Sequence, residues 1–264
     1  MVIFLYCLAD TCNAQIRMGA GLEAMGNTSS TITNTWSAWH NPAGLSGIDQ
    51  KSIALSYRIL QDIEGFNSVG IAYAHPLKVG TLGIGISRFG DQLYNEQQVS
   101  LTYANKFGIT ELGVEVAYHQ YHFEGFGNKA VPVISFGGIT ELSSQFYIGA
   151  FIQNINQAKL SDFQDERIPT IMQLGVSYRP LDNIMINIDL QKDIDFDTSV
   201  LIGLSYAVID NLKIMTGINT SPNRQFFGLT FDPHNIRGEI SYTLSNQEFT
   251  GLSHQISLQY GLTK

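Results

Sequence analysis

The residues whose types could carry catalysis or hold a metal are six histidines and one run of acids. The histidines are His40, His75, His119, His122, His234 and His254, and the run is Asp193-x-Asp195-x-Asp197. His119 and His122 are three apart, which on a strand puts them on opposite faces. Tetrahedral coordination of one zinc ion by both would need the chain to bend between them. The Asp run offers oxygen ligands of the kind Ca²⁺ accepts, but a solvated hairpin loop accounts for it equally well. Hydrolysis would want Ser and His on one face, and Ser253 and Ser257 fall on the face opposite His254. No catalytic centre, metal or cofactor is therefore expected. A further group of charges, Arg58, Arg88, Glu115, Arg179, Lys213, Arg237 and Glu239, reads as pointing to the inside of the fold. Among these, Glu115, Arg237 and Glu239 are candidate lumen charges, either gating a pore or, the favoured account, anchoring an internal segment by ion pairs.

The elements that would position these groups follow from period-two alternation. From Lys51 to Leu262 the chain reads as fourteen short alternating segments. In the last, Leu252, His254, Ile256, Leu258, Tyr260 and Leu262 share one face, while Ser253, Gln255, Ser257, Gln259 and Gly261 share the other. Similar apolar sets recur, for example Leu82/Ile84/Ile86, Leu112/Val114/Val116/Tyr118 and Met172/Leu174/Val176/Tyr178, with Ile134/Phe136 the weakest. Tyr repeatedly closes the stripe, where a membrane–water interface favours an apolar ring with a polar tip. The other face is mostly Gly, Ala, Ser, Thr and Gln, whereas a soluble sandwich would expose charges there. An even number of strands of this length and pattern predicts an all-β fold, a fourteen-stranded antiparallel transmembrane β-barrel. The small inward residues, among them Gly70, Gly83, Gly85, Gly113, Gly149, Gly175 and Gly203, leave space that residues 19–47 are expected to fill.

Composition agrees. Only 14% of the 264 residues are charged, low against roughly a quarter for soluble domains, and no apolar run is long enough for a membrane helix. Residues 1–14 read as a signal peptide. An apolar core runs from Val2 to Leu8, and Cys12-Asn13-Ala14 sets up a cut before Gln15, although the usual basic start is missing. Both cysteines, Cys7 and Cys12, fall in this piece, so disulfide and thiolate chemistry are excluded from the remainder. Loss of Asp10 leaves 22 acids against 15 bases, a balance that disfavours nucleic acid.

The links between strands alternate in length. After even strands come tight turn formers such as His75-Pro76-Leu77-Lys78 and Pro180-Leu181-Asp182-Asn183; after odd strands the links are mostly longer, up to Ile155–Ile168. Short periplasmic turns and longer outer loops are the rule for outer-membrane barrels, which places both termini in the periplasm of a bacterial outer membrane. Asp62, Glu64, Asp91, Glu96, Glu124, Asp162, Asp165, Glu166, Asp193, Asp195, Asp197 and Glu248 all fall to the odd-strand loops. Only Lys129, Lys159, Arg167, Lys192 and Arg224 oppose them, so the outer rim reads as acidic.

Residues 15–50 do not alternate and form a separate segment ahead of the barrel at 51–264. Gly19–Gly26 is rich in small residues, a Ser/Thr/Asn stretch follows, and both tryptophans lie in Trp36-Ser37-Ala38-Trp39-His40-Asn41-Pro42-Ala43-Gly44-Leu45. Asn41-Pro42-Ala43-Gly44 reads as a sharp turn, with Pro fixing φ and Gly accepting a positive one. This motif, followed by fourteen strands, resembles the FadL-type outer-membrane proteins and the wider group of PorV/PorQ-type barrels associated with type IX secretion. The resemblance implies that the segment folds inside the barrel as a plug or hatch, with Trp36, Trp39, His40, Asn41, Pro42 and Gly44 as its motif. It also implies two different functions. PorV/PorQ-type members are non-catalytic docking partners for secreted or surface-assembly proteins; FadL-type members pass hydrophobic ligands such as long-chain fatty acids. The short outer loops favour the docking scaffold as the first expectation and the transporter as its alternative. Outer-membrane lipid is the expected surround in either case.

Overall fold

The structure is a computed structural model and describes residues 17–61, 65–125, 127–160, 167–233, 237–247 and 251–262. The signal-like residues 1–14 and His234 lie outside these. Fourteen antiparallel strands form a closed barrel. They are β1 Ser52–Leu60, β2 Ser68–Pro76, β3 Thr81–Gly90, β4 Tyr94–Phe107, β5 Thr110–Phe123, β6 Gly127–Glu141 and β7 Phe146–Gln153, then β8 Ile171–Leu181, β9 Ile184–Asp193, β10 Ser199–Ile209, β11 Leu212–Thr220, β12 Asn223–Phe231, β13 Gly238–Gln247 and β14 Gly251–Gly261. Each strand pairs with its sequence neighbours, and β1 closes on β14 from Ser52↔Gly261 to Leu60↔Ser253. Closure leaves no open sheet edge, the condition for a sheet to sit in lipid.

Alternation sets the two faces as the chain requires. Leu55, Ile71, Ile86, Leu101, Val116, Leu174, Ile188, Leu204, Leu229 and Ile256 are exposed on the outside, while Ala54, Ala72, Ala104, Ala117, Ser177 and Asn187 on alternating positions are buried within. Water would not tolerate so continuous an apolar girdle, and a bilayer requires one. Even strands run toward the short-turn rim, where Tyr73, Tyr103, Tyr178, Tyr206 and Tyr260 lie near their ends. That ring of phenols sits at one edge of the apolar band, as an interfacial girdle does.

The rims differ from the expected pattern in detail. The β11–β12 link is only two residues, because Thr220 pairs directly with Asn223; the β12–β13 link, 232–237, is the longer one there. Strands β4, β5 and β6 extend to 14, 14 and 15 residues on the loop side. This extension draws Glu96 and Lys129, expected in loops, into the sheet, and Asp193 and Lys192 likewise end β9. Glu96 and Asp193 are buried and so do not add to an acidic rim, while Asp62, Glu64, Asp162, Asp165, Glu166 and Glu248 lie outside the described residues. Asp91, in the β3–β4 turn, accepts from the amides of Tyr94 at 3.1 Å and Leu93 at 2.8 Å, which holds its carboxyl below the usual range. The β7–β8 link packs back onto the wall, where Asn156 donates to Pro132 O at 2.9 Å and accepts from Ile134 N at 2.9 Å. It thereby completes the upper part of β6, which β7 is too short to pair.

The orientation of the apolar girdle makes a direct prediction. Leu101→Arg, at the lipid-facing middle of β4, should lower unfolding stability in liposomes by about 2–4 kcal/mol. Val79→Arg in the β2–β3 turn should change it by no more than about 0.5 kcal/mol. Equal, small effects in equilibrium urea unfolding would contradict the assignment of that face to lipid.

Candidate functional site

Residues 18–47 lie inside the barrel and are almost entirely buried. They form one short helix, α1 (Ala20–Ala24), and two 3-10 turns, Thr35–Trp39 and Pro42–Gly47. Local chemistry explains each. Gly19, at φ 103°, starts α1 from a conformation other residues avoid, and an added methyl there would strike the Trp36 ring. Asn34 caps the first 3-10 turn by accepting from Trp36 N at 3.0 Å. Asn41 caps the second by accepting from Ala43 N at 3.1 Å, with Pro42 in the first helical position, where its fixed φ suits the turn. The expected sharp turn is thus a capped 3-10 turn. Gly44 is required there for close approach, since a side chain would collide with the carbonyl of Ile32.

The wall is shaped to the segment. A methyl on Gly113 would meet the Pro42 backbone; on Gly149, the Ser30 carbonyl; on Gly203, the Met25 carbonyl; and on Gly217, the Gly26 amide. These four glycines admit backbone from the segment, while Gly70 and Gly83 admit the Met18 and Leu45 side chains.

Two buried carboxylates fasten it. Asp189, on β9 and fully buried, accepts from Ser30 N at 3.0 Å, Ser30 Oγ at 2.8 Å and Gln173 Nε2 at 2.6 Å. Gln173 also donates to Asn27 O, and Asn187 donates to Thr28 O, so residues 27–30 are held by their backbone. On the other side Glu23 of α1 pairs with Arg58 of β1 at 3.5 Å and accepts from Ser245 Oγ at 3.1 Å. Ser257 accepts from Ala20 N at 3.0 Å, and Thr243 donates to Ala20 O. Within the motif, His40 Nε2 donates to Met18 O at 2.9 Å, and Asn41 Nδ2 donates to Ser30 O at 2.5 Å and Gly138 O at 3.1 Å. Trp36 and Trp39 stack, with ring centroids 6.0 Å apart.

The charges expected in the lumen divide. Arg58, Glu115, Arg179, Lys213 and Glu239 do face inward, and Arg179, Lys213 and Glu239 line one cavity together. Arg237 does not: it is exposed in the link before β13, because that strand begins one residue later, and it does not reach Glu115. Arg88 is exposed on the outer face, sharing the parity of Ile84 and Ile86. Asp189 and Glu23, the two anchoring acids, were missing from the expected set, although Asp189 alternates with outward Ile188 and Leu190. His122 points outward to Asn128, 2.6 Å, while His119 points inward. Among the described residues no group of three His, Cys, Asp or Glu side chains is disposed to hold a metal ion. Asp193 accepts instead from Asp195 N at 3.3 Å.

Among the described residues the segment borders two cavities. The larger, about 740 Å³, lies toward the short-turn rim and includes Met25, Trp36, Tyr147, Arg179, Met185 and Glu239 in its lining. The smaller, about 220 Å³, lies under the β7–β8 link and is lined by Trp39, Glu96, Glu115, His119, Leu160, Ile168 and their neighbours. Each cavity thus has one member of the stacked tryptophan pair in its wall.

No family model matches this chain, and no curated protein sequence matches it. Solved structures do. The TodX monoaromatic hydrocarbon channel, as a deltaS2 mutant, superposes with a TM-score of 0.74 at 12% identity, covering 94% of this chain and 100% of that one. The toluene transporter TbuX of Ralstonia pickettii gives 0.73 at 12% identity, over 95% and 100%. The CymD monoaromatic hydrocarbon channel gives 0.70 at 9% identity, over 95% and 99%. At such identities the likeness is one of fold, and it extends over nearly the whole chain.

Proposed function

We propose that this protein is a FadL-like passive transporter that admits small, largely apolar organic molecules across the bacterial outer membrane. The N-terminal segment acts as its hatch, and the short-turn rim and termini face the periplasm. The observation that carries this reading is the pair of cavities, one toward each rim, of which one is lined by Trp36 and the other by Trp39, the two rings of the stacked pair. A scaffold sealed for docking has no need of cavities on both sides of a two-ring partition. The fold likeness supports the same reading, since the neighbours are described as hydrocarbon channels and a toluene transporter. It favours transport over the docking role that the short loops first suggested.

Passage is testable with toluene and p-xylene in proteoliposomes or in porin-deficient cells. The wild-type protein should raise uptake of either solute above empty membranes. Trp39→Ala, which removes one ring of the partition, should raise it further by several-fold. A barrel that passes neither solute, and instead co-purifies with a surface or secreted protein, would return the docking reading. The anchor makes a separate prediction. Asp189→Asn keeps the shape but removes acceptor capacity toward Ser30 and Gln173, costing about 1–3 kcal/mol. Amide exchange of residues 27–31 should accelerate accordingly, and unchanged protection would show that Asp189 does not hold the segment.

A further inference from the structure

The smaller cavity has two chemically distinct walls. One, from β4 and β5, carries Glu96, Gln98, Glu115 and His119; the other carries Val133, Leu160, Ile168 and Pro169, with Trp39 from the segment. Glu115 is 3% exposed, accepts from Gln98 Nε2 at 3.4 Å, and has no cationic partner among the described residues. Glu96 is 7% exposed, accepts from Tyr94 Oη, and likewise has none. Arg167 also lines the cavity, but its Nη1 donates to Gln157 and the residue is exposed, so two carboxylates face one peripheral cation.

Buried carboxylates are ordinarily paired with a cation or a metal. Others in the lumen obey that rule or a close substitute: Glu23 has Arg58, Glu111 has Lys106, and Asp189 collects three donors. Asp193, Glu96 and Glu115 depart from it, and of these Glu96 and Glu115 do so together at a cavity. A second observation points the same way: the indole N–H of Trp39, 3% exposed, has no acceptor among the described residues. A hydrocarbon filling this space would leave Glu115 and Glu96 with their neutral donors Gln98 and Tyr94 but no counter-charge. An ammonium group bonded to the carboxylates would supply it, and the aromatic rings of Trp39, Tyr94 and Tyr121 in the lining suit its charge. Its apolar body would lie against Val133, Leu160 and Ile168.

We infer that the cavity beneath the β7–β8 link is a binding site for a small organic amine in its protonated form, held by Glu115 and Glu96 with its apolar part on Trp39 and the link. As a statement of substrate class this rests on the transport reading; as a binding site it stands by itself.

The test uses the purified full chain in detergent and four probes of one size: benzylamine, benzyl alcohol, toluene and benzoate. Tryptophan emission reports binding, because the chain has only Trp36 and Trp39. Benzylamine should give saturable binding at least tenfold tighter than toluene or benzyl alcohol, with benzoate weaker still. Glu115→Gln, nearly isosteric, should weaken benzylamine at least tenfold and leave toluene within twofold; Glu96→Gln should do the same to a smaller degree. Equal affinity for benzylamine and toluene in the wild-type protein would overturn the inference without recourse to any variant, as would an unchanged affinity in Glu115→Gln that retains its heat-shift on gels. Toluene uptake without amine selectivity would overturn this inference and leave the transport reading standing. Amine binding without any uptake would do the reverse.

Discussion

Everything in this molecule depends on backbone pairing that a bilayer leaves no alternative to. With no water in the hydrocarbon core, each N–H and C=O must find a protein partner, and a single sheet can meet that demand only by joining its first strand to its last. The β1–β14 ladder does so over nine residue pairs, Ser52↔Gly261 to Leu60↔Ser253. Once the sheet closes, side-chain direction is no longer free. Residues of one parity face lipid and must be apolar; those of the other face a lumen whose contents the protein must provide.

Fourteen strands enclose more space than inward side chains of ordinary size fill, and this wall reduces its side chains still further. The glycines at 113, 149, 203 and 217 bring the wall's backbone against the segment's backbone. Such close approach buries amides and carbonyls that then require partners. Asp189, Gln173, Asn187, Ser257 and Thr243 provide them. The polar inward face is therefore a complement to the backbone of residues 20–41 rather than the lining of a water-filled pore. The same logic explains Gly175, where any side chain would collide with the Asp189 carboxylate that serves three donors.

The barrel was legible because period two is a local property, visible in any six consecutive residues, and fourteen repetitions leave little room for another fold. Failures cluster where the period stops. Arg237 lies in the link before β13, so counting parity back from Ile240 put it inside a wall it does not join. Strands β4 to β6 run on past the apolar stripe, so Glu96 looked like a loop residue. The interior of the segment was less legible still. Its need for small residues can be read from composition, but Gly44 against Ile32 O and Asn41 against Gly138 O are contacts between positions that no periodicity relates. Asp189 is inward by the parity rule, but its role appears only when the Ser30 backbone arrives beside it.

Magnitudes decide how the internal segment would have to move if it acts as the proposed hatch. Withdrawing residues 18–47 as a unit would break the Asp189 and Glu23 networks together with the backbone bonds to β8, β9, β13 and β14. Each neutral bond is worth about 0.5–1.5 kcal/mol and each bond to a charge about 1.5–3, so the total rivals the stability of a whole domain, about 5–15 kcal/mol. Moving the two indoles is far less costly. Trp36 and Trp39 are fixed through their backbones, by Asn34 and by Gln153 Nε2 on the Trp39 carbonyl at 3.2 Å. Their rings are held by packing and by a stack worth about 0.5–1.5 kcal/mol, and the Trp39 N–H loses no hydrogen bond when it moves. The lumen is thus stiff where the segment's backbone meets the wall and soft at the one partition between the two cavities. On the proposed transport role, a solute with its own hydrogen-bond donor or apolar ring would replace what a displaced indole leaves behind, so opening would be cheapest when a solute is there to pass.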